Sequence, residues 1–219
     1  MKFLYFALMC TLGTVAGPAE ALSYLGSLPG APDPGARGDV VIDFDHPLPA
    51  GITFAPGSTY DILTGLVPHR GYNPAGDDTA YLSVPGSGTS GSATLDFTGF
   101  TGGQISAFSF YWGSIDRANE LTITTDQGSL TLFGSQIVSS GYGSATSARD
   151  NRRVFFALDA FEHLKSVHLV SPTAFEIDDL KLTVAAPVPD ISTWILMVSG
   201  FGLAGCALRR RPRMAPMPV

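Results

Sequence analysis

Between two hydrophobic ends, apolar and polar residues alternate in short runs, and clusters of Gly, Ser, Pro, Asn and Asp separate the runs. Alternation with a period of two is the signature of strands with one face buried; no stretch here sustains the 3.6-residue period of an amphipathic helix. The pattern predicts strands at Val40–Phe44, Tyr60–Leu63, Thr79–Val84, Ser92–Phe97, Ile105–Trp112, Glu120–Thr125, Ser129–Phe133, Val154–Leu158, Ser166–Ser171 and Phe175–Thr183. Asp126-Gln127-Gly128 joins the Thr-rich runs ELTITT and SLTLF and reads as a hairpin turn. In ISAFSFYW, Ser106, Phe108, Phe110 and Trp112 share one face, and the aromatics on it are expected in the core. Residues Asp159–Lys165 fit one helical turn or a strand connection.

Ten short strands divided by turn signals point to an all-β fold, two stacked antiparallel sheets in a jelly-roll-like β-sandwich, with a barrel as the second architecture. Residues 22–39 are rich in Pro and Gly and are expected to lie along the surface. Gly86–Gly91 reads as a flexible loop, and Ala185–Pro189 as a short stiff linker.

The two ends follow different rules. At the start, Lys2 precedes an apolar run from Phe3 to Val15, and Ala19-Glu20-Ala21 offers a small-x-small cleavage site. This is the layout of a secretory signal peptide, residues 1–21, cut by signal peptidase after Ala21. Near the other end, Ile191 to Leu208 is free of charge, and Arg209, Arg210, Arg211 and Arg213 follow at once. Eighteen helical residues at about 1.5 Å each just cross a hydrocarbon core of roughly 30 Å. The pattern therefore predicts a transmembrane helix over 191–208 with its basic tail, 209–213, in the cytoplasm. Pro187 and Pro189 separate it from the body.

What remains, residues 22–186, has the length of one domain. It carries eight basic and seventeen acidic residues, a net charge of −9. Such a surface repels nucleic acid and anionic lipid and is compatible with cations or neutral sugars. Both cysteines, Cys10 and Cys206, lie in the hydrophobic ends, so disulfides, zinc–thiolate sites and cysteine nucleophiles are excluded from the body.

Val188-Pro189-Asp190, Trp194, the uncharged run and the arginine cluster together resemble the PEP-CTERM sorting signal of Gram-negative bacteria. Asp190 stands where that signal usually has Glu, and Ile191 where it has a second Pro. The resemblance implies processing by an exosortase-type enzyme, with Pro189, Asp190 and Trp194 as the recognition elements and Arg209, Arg210 and Arg211 as the stop. The body is similar to one group of exosortase-dependent surface proteins through Phe110–Asp116, Asn119, Leu121-Thr122 and the closing strand Phe175-Glu176-Ile177-Asp178-Asp179. That resemblance implies an envelope-associated β-sandwich, passing through the inner membrane to the cell surface or extracellular matrix.

Within the body, YWGSIDRAN joins a strand end to the next strand. It has two readings. In one it is a sugar-binding edge, with Tyr111 or Trp112 stacking on a pyranose and Asp116, Arg117 and Asn119 supplying polar contacts. In the other it is a structured corner with Trp112 in the core and Asp116 capping the turn; aromatics in strand pattern usually follow that course. Acidic pairs occur at Asp43/Asp45, Asp77/Asp78 and Asp178/Asp179. Sandwiches resembling carbohydrate-binding modules pair their first and last strands. Asp43, Asp45, Asp178 and Asp179 are then candidates for one structural calcium, with oxygens added from Tyr72–Asp78, or else ordinary solvated turn acids. The four histidines, His46, His69, His163 and His168, show no ligand spacing, and no Gly-x-Ser-x-Gly elbow occurs. Arg152-Arg153 reads as a solvated strand flank.

The expectation is a non-enzymatic exported surface protein that binds polysaccharide or builds the matrix. A secreted glycan-active enzyme with two carboxylates about 5 to 9 Å apart is one alternative; an inert structural or adhesion protein tethered to the inner membrane is the other.

Overall fold

The computed structural model describes residues 22–30, 40–68, 70–86, 90–141, 143–185, 195–202 and 204. Among them the chain forms twelve strands: β1 (Ser23–Pro29), β2 (Val40–Ile42), β3 (Thr53–Phe54), β4 (Asp61–Thr64), β5 (Ala80–Val84), β6 (Gly91–Asp96), β7 (Ile105–Gly113), β8 (Glu120–Thr125), β9 (Ser129–Phe133), β10 (Arg152–Ala157), β11 (Leu164–Ser171) and β12 (Phe175–Val184). One short helical turn, α1 (Gly134–Ile137), follows β9. The strands make two antiparallel sheets, one ordered β1-β10-β7-β12-β5-β4 with β2 also on β12, the other β3-β6-β11-β8-β9. A two-sheet antiparallel sandwich is therefore the fold, not a closed barrel.

The core lies between the sheets, where Phe108, Phe110, Trp112, Val154 and Phe156 face Leu95, Leu121, Ile123, Val167 and Leu169. Its aromatics are stacked: Phe108 on Phe156 at 4.8 Å between centroids, and Trp112 on Phe175 at 4.3 Å and 6°. The hairpin through Asp126–Gly128 is formed, with Glu120 opposite Phe133 and Thr124 opposite Ser129.

Ser23–Pro29, in the stretch expected to lie along the surface, is an edge strand on β10 with no fully buried residue and a bulge between Tyr24 and Gly26. An edge position tolerates the Gly and Pro that weaken a central strand. Arg153 is no solvated flank: it is buried within β10, where Nε donates to Ser109 Oγ at 3.2 Å and Nη2 to the Asp179 carbonyl at 2.8 Å.

The central strand β12 positions the site. Phe175, Ile177, Leu180 and Leu182 enter the core, so the alternation slips by one residue between Ile177 and Leu180. The cause is a bulge, in which Asp178 opposes Tyr111 and Lys181 opposes Ser109, with Asp179 at φ 47°. One extra residue restores the inward phase of the second half of the strand. On the other edge of β12, β5 pairs with Phe175–Ile177 and β2 with Leu180–Leu182. The two partners leave Asp178 and Asp179 between them.

Residues 195–202 and 204 are helical, and Ile195, Leu196, Met197, Val198 and Phe201 are exposed. No helix among the described residues is long and apolar enough to cross a membrane. The remainder of the expected 191–208 helix, the 1–21 leader, and Pro189, Asp190, Trp194, Arg209, Arg210 and Arg211 lie outside the described residues.

Candidate functional site

The outer face of the seven-stranded sheet is polar yet buried at its centre. Tyr81 and Ser83 from β5, Ser109 and Tyr111 from β7, Arg153 from β10 and Glu176, Asp178 and Lys181 from β12 are all buried. Over Tyr81, Ser83, Tyr111 and Glu176, the described residues of the segment 65–79 cross the sheet and take up its hydrogen-bonding groups. Tyr81 donates its hydroxyl to the Gly65 carbonyl at 3.0 Å, Tyr111 to the Ala75 carbonyl at 2.6 Å, and Ser83 to the Arg70 carbonyl. Glu176 accepts the Tyr72 N–H at 3.3 Å on one oxygen and the Ser114 hydroxyl at 3.0 Å on the other. Asn151 Oδ1 accepts both the Ala75 and the Ser114 N–H groups. The close approach depends on Gly113, where a Cβ would meet Pro74 at 3.1 Å and Glu176 at 3.2 Å.

Burial sets the protonation of this layer. It raises the Glu176 carboxyl to about 8 against the two hydrogen bonds it accepts. Asp178 is raised to about 9 by burial, with nearby Asp77 and Asp179 adding to the shift. Both are therefore neutral acids at pH 7, since charging them without water costs more than their hydrogen bonds return. Burial likewise lifts Tyr111 to about 12.

Asp77, Asp178 and Asp179 bring one carboxylate oxygen each within 4.8 Å of one another. This is not the set expected for calcium. Phe44, with φ 56°, turns its ring into the core, and the flanking acids leave the cluster. Asp43 accepts the His46 N–H and pairs with its imidazole at 2.9 Å, while Asp45 accepts the Ala80 N–H. That pairing raises His46 above its ordinary value through the Asp43 carboxylate. Three oxygens of the trio have partners already: Asp77 Oδ1 with the N–H and hydroxyl of Thr79, Asp178 Oδ1 with the Asp179 N–H, and Asp178 Oδ2 with Thr79 Oγ1. Calcium asks for six to eight oxygen ligands.

The corner YWGSIDRAN takes its structural form. Tyr111, Trp112 and Asn119 are each 0% exposed, so none presents a face or a polar group to a sugar. Asn119 donates to the Ala174 carbonyl and accepts the Ser171 hydroxyl; Asp116 accepts the Gly143 N–H and the Thr173 hydroxyl. Trp112 is drawn inward by its stack on Phe175, while Tyr111, on the opposite face of β7, is covered by the crossing segment at Ala75.

What the alternation did not reveal is an open groove of about 460 Å³ beside the covered centre, lined by residues 64–66, 72–78 and 145–146. Tyr72 and Leu66 stand exposed in its walls, at 45% and 59%. The signal in the sequence was the length of 65–79: a span this long without strands is usually a functional loop.

No family model matches the chain, and no curated protein matches it. Among solved structures it is similar to the family 11 carbohydrate-binding module of a cellulosomal cellulase of Clostridium thermocellum, at 18% identity and a TM-score of 0.26, over 71% of this chain and 99% of that one. It is also similar to the family 11 module from the same organism in complex with a β-1,3-1,4-mixed-linked tetrasaccharide, at 14% identity and a TM-score of 0.24, over 76% and 100%.

Proposed function

We propose that the chain is a non-enzymatic, exported surface protein of a Gram-negative envelope whose β-sandwich is a polysaccharide-binding module. Signal peptidase removes the leader, the tail holds the protein in the inner membrane, and an exosortase-type enzyme processes it near Pro189-Asp190. The two hydrophobic ends, a cysteine-free acidic body and the resemblance of the tail support the route. The single observation that carries the binding role is the open groove built on the covered face of the sandwich. Against an enzyme stands the burial of Asp178, which is 0% exposed and out of reach of a glycosidic bond.

A purely structural matrix protein is the second reading, and the burial of Trp112 favours it. Mass spectrometry of the mature C-terminus from the native cell tests the route. A terminus near Pro189-Asp190 supports sorting. An intact arginine tail in the inner membrane removes sorting but keeps export. Full-length chain dissolved in the cytoplasm overturns both.

A further inference from the structure

We infer that the groove between residues 64–66, 72–78 and 145–146 binds a neutral polysaccharide chain, with the ring of Tyr72 as the surface on which one sugar packs. Three observations lead there. First, Tyr72 and Leu66 are large apolar side chains left exposed in a concavity, at a distance from the sandwich core that would otherwise absorb them. Exposed apolar groups gathered in a groove, unlike single scattered ones, mark a binding surface. An aromatic face matches the C–H side of a pyranose ring.

Second, the charge of the groove selects against anions. Among the described residues its acidic side chains are Asp77 and Asp78, and no Lys, Arg or His lines it. A uronic acid, phosphate or nucleic acid would meet like charge there, while a neutral hydroxyl-rich chain finds Thr64, Asn73, Asp78 and Thr146 as hydrogen-bonding partners. The volume, about 460 Å³, lies in the range of small-ligand sites, and the open form suits a chain that enters and leaves rather than an enclosed monosaccharide.

Third, the wall that carries Tyr72 is held before any ligand arrives. Its backbone is pinned at Tyr72 by Glu176, at Ala75 by Tyr111 and Asn151, and at Gly65 by Tyr81. A wall already ordered loses little conformational entropy on binding. This inference rests on the proposed polysaccharide-binding role of the sandwich and not on its export route.

The test uses the full-length chain in mild detergent and affinity electrophoresis through gels containing dextran, xyloglucan or galactomannan, with alginate as the acidic counterpart. Retardation is expected with at least one neutral polymer and not with alginate. Tyr72→Ala should weaken that retardation roughly tenfold or more, while Tyr72→Phe stays within about threefold of the parent, and both should melt like the parent because the ring is exposed. No retardation by any neutral polymer, or stronger retardation by alginate, overturns the groove assignment and leaves export standing. Retardation that survives Tyr72→Ala and the pair Asn73→Ala/Thr146→Ala places the ligand elsewhere and also overturns it. A chain that binds through Tyr72 yet is never exported would keep the groove and remove the proposed route.

Discussion

The two sheets of this sandwich obey the same alternation and dispose of their outer faces in opposite ways. On the five-stranded sheet, β8 and β6 leave every second residue half-buried, and the polar groups pair locally or meet water. Thr122 and Thr131 share a hydrogen bond at 2.8 Å across β8 and β9, and Thr94 pairs with His168 at 2.7 Å across β6 and β11. On the seven-stranded sheet, every residue of β5 is buried, because the 65–79 crossing replaces water above it. A polar outer position is therefore solvent-facing in one sheet and a structural fastening in the other. The difference teaches that the second face was built over, and a face that is built over acquires walls. The groove is the result.

The largest effect expected is at the aromatic stack that the seven-stranded sheet turns into the core. Trp112→Ala should cost about 3–5 kcal/mol in urea unfolding, as for other large-to-small changes in a packed core. A loss below about 1 kcal/mol would revive Trp112 as a surface side chain. Next comes the fastening itself. Glu176→Ala strands the Tyr72 N–H and the Ser114 hydroxyl, so a loss of about 1–3 kcal/mol is expected for groups left without an acceptor.

The third effect is a pH dependence confined to the covered face. Glu176 and Asp178 titrate higher in the folded chain than in the unfolded one, about 8 and about 9 against model values of 4.5 and 3.8. The folded state holds more protons in between, so their stabilising contribution is full below about pH 4 and is lost as pH rises towards 8–9. Thermal melts across that window should descend, and Glu176→Gln with Asp178→Asn should flatten the descent. The smallest effect is on the uncovered sheet, where Thr122→Ala should change stability by only a few tenths of a kcal/mol, up to about 1. A larger loss there than at Glu176 would reverse the contrast between the two sheets.

Most of the strand pattern was legible in the sequence because alternation is local. Glu120–Thr125 and Ser129–Phe133 form as the residues indicate, and Asp126–Gly128 turns between them. Ser23–Pro29 was hidden by Gly26 and Pro29, whose meaning changes at a sheet edge. Thr53–Phe54 is too short to show any period. The bulge could have been read: Phe175 and Ile177 share one parity, Leu180 and Leu182 the other, and only an extra residue reconciles them. The site was legible only in fragments. Asp77, Asp178 and Asp179 were noticed as pairs of acids, but which of them meet depends on where β2 and β5 divide the edge of β12. The burial of Tyr111 and Glu176 depends on a crossing loop distant in sequence, and no local pattern announces that.

The central claim is that the outer face of the seven-stranded sheet is a dry, polar layer whose carboxyls are held neutral. Carbon-13 NMR of side-chain carboxyls in the full-length chain, assigned through Glu176→Gln and Asp178→Asn, reads this directly. The account predicts midpoints near 8 for Glu176 and near 9 for Asp178. Both groups titrating near pH 4, with the other acids of the chain, would mean that water reaches the face and that the 65–79 crossing does not cover it.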